Sequence, residues 1–183
     1  MKIHDAKTTK KPSHTRWLGF LRIKIRREVK VVAFIIAQIA IAFIYSIFLE
    51  WCIHKYVLHN MGKTRGSVFS FHFHEHHSKS RRNNFKDPSY DTLNFKIDNG
   101  SRKESMALAG LLAIHIPLAL MFPWAFLCLA GCTVHYFIAH LKSHREPEWA
   151  RKSLPWHYAH HMAPNQDSNW GVRFDWADRL LGT

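Results

Sequence analysis

Nineteen consecutive residues, 31 to 49, read VVAFIIAQIAIAFIYSIFL and carry no Asp, Glu, Lys or Arg. As a helix they rise about 28 Å, close to the hydrocarbon thickness of a bilayer. Gln38 and Ser46 are tolerable polar interruptions. A second uncharged run extends from Met106 to Leu141 and is too long for one crossing. Pro117 and Pro123 sit inside it and disfavour a straight helix. The expected structure is a hairpin, with helices near 106–121 and 124–141 and a turn at Phe122-Pro123. Runs apolar on every side belong in lipid rather than in a soluble core. With the first helix near 31–51, the expected fold is all-α: an integral, multi-pass membrane helical bundle.

The remaining sequence is strongly basic. Lys plus Arg is 26 against 13 Asp plus Glu, a formal charge of +13, while 47% hydrophobic residues exclude a disordered polyelectrolyte. No recognition motif accompanies the charge, so nucleic acid is not an expected partner. Three cysteines, Cys52, Cys128 and Cys132, are too few for a disulfide framework or a Cys-rich zinc module. The first apolar run begins too far into the chain, and is too long, for a signal peptide. Residues 1–30 form a basic N-terminal tail, separate from a membrane domain over 31–183. The stretch Trp17 to Ile25 suits either a short interfacial helix on an anionic surface or a solvated tail. A single crossing by 31–49 sets the ten Lys and Arg of the tail against the sixteen of segments 52–105 and 142–183. The charge rule then places the latter face in the cytoplasm.

That face holds most of the fifteen histidines. They fall in clusters: His54-Lys-Tyr-Val-Leu-His59, His72-Phe-His74-Glu-His76-His77, His135-Tyr-Phe-Ile-Ala-His140 and His157-Tyr-Ala-His160-His161. Only His4, His14, His115 and His144 lie outside. At about 100° per residue, His72 and His76 are about 40° apart on a helix, as are His157 and His161. Each box therefore aims several imidazoles at one small volume. Protonated, such rings repel; as metal ligands they do not, because neutral imidazole binds Fe, Zn, Cu and Ni well. Setting aside His74, which is off the spacing of its box, ten clustered histidines exceed one ion's needs and suit a dinuclear centre with open positions, whereas a structural zinc site closes at four ligands. The fold expectation thus gains a histidine-rich cytoplasmic cap carrying two metals.

These boxes resemble the histidine series of the fatty acid hydroxylase / sterol desaturase superfamily, the membrane-bound non-haem di-iron oxygenases. HKYVLH, HFHEHH and HYAHH match its three boxes, and HYFIAH matches an additional pair before the last. Asn169-Trp170-Gly171-Val172 and Asp178-Arg-Leu-Leu-Gly-Thr183 resemble its terminal motifs, so the resemblance covers residues 31 to 183. Carried over residue by residue, it implies His54, His59, His72, His76, His77, His135, His140, His157, His160 and His161 as ligands of two iron ions. His74 is an alternative to His72, and His144 a spare ligand. Zinc can occupy the same imidazoles on purification. A shell of neutral histidines leaves the ions' charge uncompensated, so carboxylates are expected on the outer ring nitrogens. Asp178, Glu75, Glu50 and Asp91 are the candidates.

The resemblance implies an oxidoreductase that consumes O2 and attacks a C–H bond of an apolar lipid. Fatty acyl hydroxylation is the leading reading. A carotenoid ring hydroxylase and a sterol or lipid desaturase are the alternatives within the superfamily. A membrane metal-binding or transport protein is the alternative outside it, and would need ligands along a path through the bilayer. No haem or flavin domain fits in this length, so electrons are expected from a separate cytochrome b5- or ferredoxin-like donor. The basic segment 78–105 suits either a cap over the site or a docking surface for an acidic donor.

Overall fold

The computed structural model describes residues 14–91 and 100–183. Residues 1–13 of the basic tail and 92–99 of the basic segment lie outside the described residues. Every regular element described is helical, as the sequence predicts. The chain divides into two compact units, residues 1–37 and 38–183.

Helix α1, His14–Cys52, begins in the first unit. There it leaves Trp17, Phe20, Ile23 and Ile25 exposed among Arg22, Lys24, Arg26 and Arg27, so the tail from residue 14 is helical. Among the described residues two stretches are long and apolar enough to cross a membrane, Trp17–Met61 and Pro123–Arg145. Their apolar side chains point outward: Ile41 is 68% exposed and Leu127 57%. Apolar surface of that kind suits lipid contact and not the core of a soluble domain.

In the second unit the helices are punctuated by proline. α3 (Gly100–Ile114) and α4 (Ile116–Met121) are parted at His115, and Pro117 in the first turn of α4 supplies the reason, since it has no N–H to continue the ladder. Phe122 closes α4, and α5 (Pro123–Arg145) returns along it. α6 (Pro147–Ser153) and α7 (Pro155–Met162) also start on proline, whose fixed φ suits the first helical position. α2 (Ser78–Arg82) and α8 (Trp176–Leu181) are short, and Gly182 ends α8 in the left-handed conformation at φ 68°. One small core gathers Ile47, Trp51, Trp170 and Ala177, and another Ala42, Ala125 and Leu129. The first ties the C-terminal segment to the end of α1, where the histidines begin.

Candidate metal centre

Two histidine boxes lie on π-helical segments. Ile53–Met61 continues directly from α1, and His72–His77 precedes α2. A π-helix bonds residue i to i+5, so residues five apart sit one above the other, which an α-helix does not allow. This is why His54 and His59, and likewise His72 and His77, share a face. Gly62 follows the first segment, where a Cβ would lie 2.0 Å from the Leu58 carbonyl oxygen; only glycine fits the exit.

The imidazoles gather in two neighbouring groups. His54, His59, His72, His77 and His160 form the first; His76, His140, His144 and His161 the second. All nine are buried. His157, also buried, joins the second group, its Nε2 3.3 Å from His144 Nε2. The groups touch where the rings of His77 and His161 stack with centroids 4.1 Å apart.

The tautomers follow from the outer nitrogens. His54 Nδ1 donates to the Trp170 carbonyl at 2.6 Å, His77 Nδ1 to Gln166 Oε1 at 2.9 Å and His160 Nδ1 to the Ser168 carbonyl at 2.7 Å. In the second group His76 Nδ1 donates to Asp87 Oδ2 at 2.8 Å and His144 Nδ1 to the Phe85 carbonyl at 2.9 Å. His140 Nδ1 stands 2.8 Å from Glu104 Oε1, although the angle does not make a directed hydrogen bond. A proton held on Nδ1 leaves Nε2 as a bare lone pair. Yet the Nε2 atoms face each other: His54 to His72 at 3.0 Å, and His59 to both His77 and His160 at 3.1 Å. His59 Nε2 thus faces two fixed lone pairs, those of His77 and His160, and one ring proton cannot serve both well, whereas a cation among the three serves all of them. Metal–imidazole bonds of about 2.0–2.1 Å put two ligands at a right angle about 3.0 Å apart, which is the spacing found. Both nitrogens of His161 and Nε2 of His76 and His140 are buried with no hydrogen-bond partner. The donor set therefore fits a pair of transition-metal ions.

Burial, reinforced by the neighbouring imidazoles, holds His72, His76, His77, His157, His160 and His161 well below the ordinary histidine range. They are the neutral, ligating form at physiological pH. Burial pushes Asp87 upward, while hydrogen bonds from the Ser89 amide and hydroxyl, at 2.9 and 2.6 Å, pull it back.

Of the ten sequence-derived ligands the structure leaves one, His135, outside both groups; of the two further candidates it brings in His144 and leaves out His74. His135 is exposed and rests against Phe174, with ring centroids 6.0 Å apart. Five residues along the regular α5 turn it about 140° from His140. His144, four residues beyond His140, lies about 40° away and enters the second group. His74 is not brought to either group; its Nε2 donates to the Lys63 carbonyl at 2.9 Å.

The expected carboxylates also stand elsewhere. Asp178 accepts from Trp51 Nε1 and from the amides of Trp170 and Gly171. Glu50 accepts from the amides of Val172 and Arg173 and pairs with the Arg173 guanidinium at 2.6 Å. Both therefore fix the segment whose Trp170 carbonyl receives His54, and neither meets an imidazole. Glu75 pairs with Lys103, and Asp91 with Lys86, at exposed positions. Asp87 and Glu104 take the outer nitrogens instead. Nothing in the sequence distinguishes them, because residues 87 and 104 are far from the histidines along the chain.

The basic segment caps the second group from one side. Phe85 stacks on His144 with centroids 4.5 Å apart, and its φ of 76° is a strained value for a bulky residue. That conformation turns the Phe85 carbonyl onto His144 Nδ1. Tyr90 also stacks on His144, with ring centroids 5.6 Å apart.

An apolar cavity of about 430 Å3 meets the first group at His54 and His72. Val57, Leu58, Leu111 and Leu129 line it, and it follows α3 from Glu104 to Ile114. That stretch of helix rises about 15 Å, half the hydrocarbon thickness.

The fatty acid hydroxylase family model matches residues 39–183. No curated protein and no solved structure is significantly similar to the chain. The matched region takes in both histidine groups, the cavity and the C-terminal segment that orients His54, and it holds a membrane-length helix. The chain belongs to the fatty acid hydroxylase family, a membrane-associated, metal-binding oxidoreductase of the lipid hydroxylase and desaturase type.

Proposed function

We propose that the protein is a multi-pass membrane oxygenase that uses two iron ions and O2 to hydroxylate the hydrocarbon chain of a lipid, a fatty acyl chain first among them. The carrying observation is the convergence of bare Nε2 atoms at the end of an apolar cavity. His54, His59, His72, His77 and His160 would hold one ion, and His76, His140, His144, His157 and His161 the other. When bound, such ions supply dioxygen activation and the removal of hydrogen from an unactivated C–H bond.

The chain's own residues bind and orient. Val57, Leu58, Leu111 and Leu129 take up an apolar chain and exclude water. Trp170, Ser168 and Gln166 hold three imidazoles with their lone pairs inward. Electrons come from a separate donor, cytochrome b5- or ferredoxin-like, and the histidine face lies in the cytoplasm. Desaturation is the alternative outcome at the same site, when a second hydrogen leaves the same chain.

Metal analysis of anaerobically purified protein, with lipid extracts of cells expressing the parent or His160→Ala, tests this. About two irons per chain and hydroxylated lipids absent from the variant are expected. Zinc alone with hydrolytic products, or identical lipid and pigment profiles for parent and variant, overturns it.

A further inference from the structure

The two histidine groups differ in what surrounds them. In the first, the outer nitrogens of His54, His77 and His160 donate to neutral oxygens of Trp170, Gln166 and Ser168. The nearest carboxylate there, Asp167, is exposed, 3.8 Å from His59 Nδ1, and already held by Lys63 at 2.7 Å. In the second, two buried carboxylates stand against outer nitrogens: Asp87 2.8 Å from His76 and Glu104 2.8 Å from His140. Asp87 is itself fixed by Ser89. The groups also differ in access. His54 and His72 line the apolar cavity, and no histidine of the second group does.

A divalent ion among neutral imidazoles in an apolar setting keeps its charge uncompensated, which is costly. Carboxylates one ring away offset that charge and make the imidazoles more basic ligands. Resting on the two-ion reading above, we propose that the positions are unequal. The group of His76, His140, His144, His157 and His161, backed by Asp87 and Glu104, holds its ion tightly. The group of His54, His59, His72, His77 and His160 holds a labile ion at the end of the cavity. Asp87 and Glu104 are positioning residues, acting on the metal through His76 and His140. The labile ion is the one a bound lipid meets, so an empty first group would leave a folded but inactive protein.

Cobalt(II) binding to the full chain in detergent, stripped of metal first, tests this without any turnover. Bound cobalt is followed by its visible absorption and by metal content after exposure to graded chelator. The wild type is expected to bind two cobalt ions in two steps, and to keep one at a chelator concentration that removes the other. Asp87→Asn and Glu104→Gln keep the shape and remove the charge. Each is expected to weaken the tighter step about 10–100-fold and leave the weaker one unchanged. Gln166→Ala is expected to weaken the looser step alone. Two ions leaving together from the wild type, or charge-removing variants that shift the looser step, overturn the inequality. Circular dichroism identifies a variant that misfolds, and the wild-type release curve decides the matter even then. A folded wild type that binds no cobalt overturns the metal reading itself, a distinct failure.

Discussion

His160 and His161 are neighbours in the chain, yet their rings stand at 89° with centroids 5.3 Å apart and belong to different groups. His76 and His77 repeat the arrangement at 89° and 5.9 Å. A step of about 100° along a helix separates adjacent side chains, so one doublet reaches two sites that a single helix face cannot. Each His-His pair thereby fixes the spacing between the two groups.

The helical register of α5 separates two histidines that the sequence ranks in the opposite order. His135→Ala should leave the bound metal unchanged, because that ring is exposed against Phe174. His144→Ala should release the ion of the second group or weaken it by about 10–100-fold, counting both the lost ligand and the unpaired Phe85 carbonyl. Metal content of the two purified variants checks both expectations.

The cavity separates lipid binding from metal binding. Leu111→Trp fills cavity space, and Leu111 bonds none of the grouped histidines, only His115 through its backbone carbonyl. Metal content should stay at the parent level while product falls at least about tenfold, the usual result of losing a well-oriented bound pose. Parallel metal analysis and lipid product measurement distinguish this from unfolding.

Acid should destabilise the metal-free protein steeply. Six buried histidines outside the membrane stretches, His72, His76, His77, His157, His160 and His161, have folded-state pKa values well below 6.5, so below that pH the unfolded chain binds protons that the folded chain does not. Their contribution is fully present above pH 6.5 and is lost as the pH falls. Each histidine adds a slope of up to about 1.4 kcal/mol per pH unit in that range. Thermal unfolding of the apoprotein between pH 7.5 and 5 should therefore show a falling midpoint. A flat profile would mean that the rings are hydrated.

Gly171 tests the segment behind His54. A Cβ there would lie 2.0 Å from the Phe174 carbonyl oxygen and 3.2 Å from Asp178 Oδ2. Gly171→Ala must displace backbone, at a cost of about 1–3 kcal/mol or more. The shift carries the Trp170 carbonyl away from His54. The expected result is a lowered unfolding temperature together with weakened metal binding, measured on the same preparation.

Much of this was legible in the sequence. Uncharged runs announced the helices, and Pro117 and Pro123 marked where the second run breaks. The clustering of histidines announced metal. What periodicity could not supply was the helix type. An α-helical spacing rule pairs His135 with His140 as readily as His54 with His59, and only the π-helical turn separates the two cases. The outer carboxylates were illegible for another reason. Asp87 and Glu104 meet their histidines through tertiary packing, with 35 residues between Glu104 and His140. Asp178 stood out in its terminal motif, but that prominence belongs to a peptide it holds in place and not to an imidazole.

The π-helical turn over Ile53–Met61 also bears on how such a box can change over time. Deleting one residue between His54 and His59 would let the turn tighten into an ordinary helix, with both rings still on one face. Indels at this place are thus absorbed by winding rather than by displacement. What the box requires at this place is the angular phase of its two rings, and the number of residues between them follows from the winding.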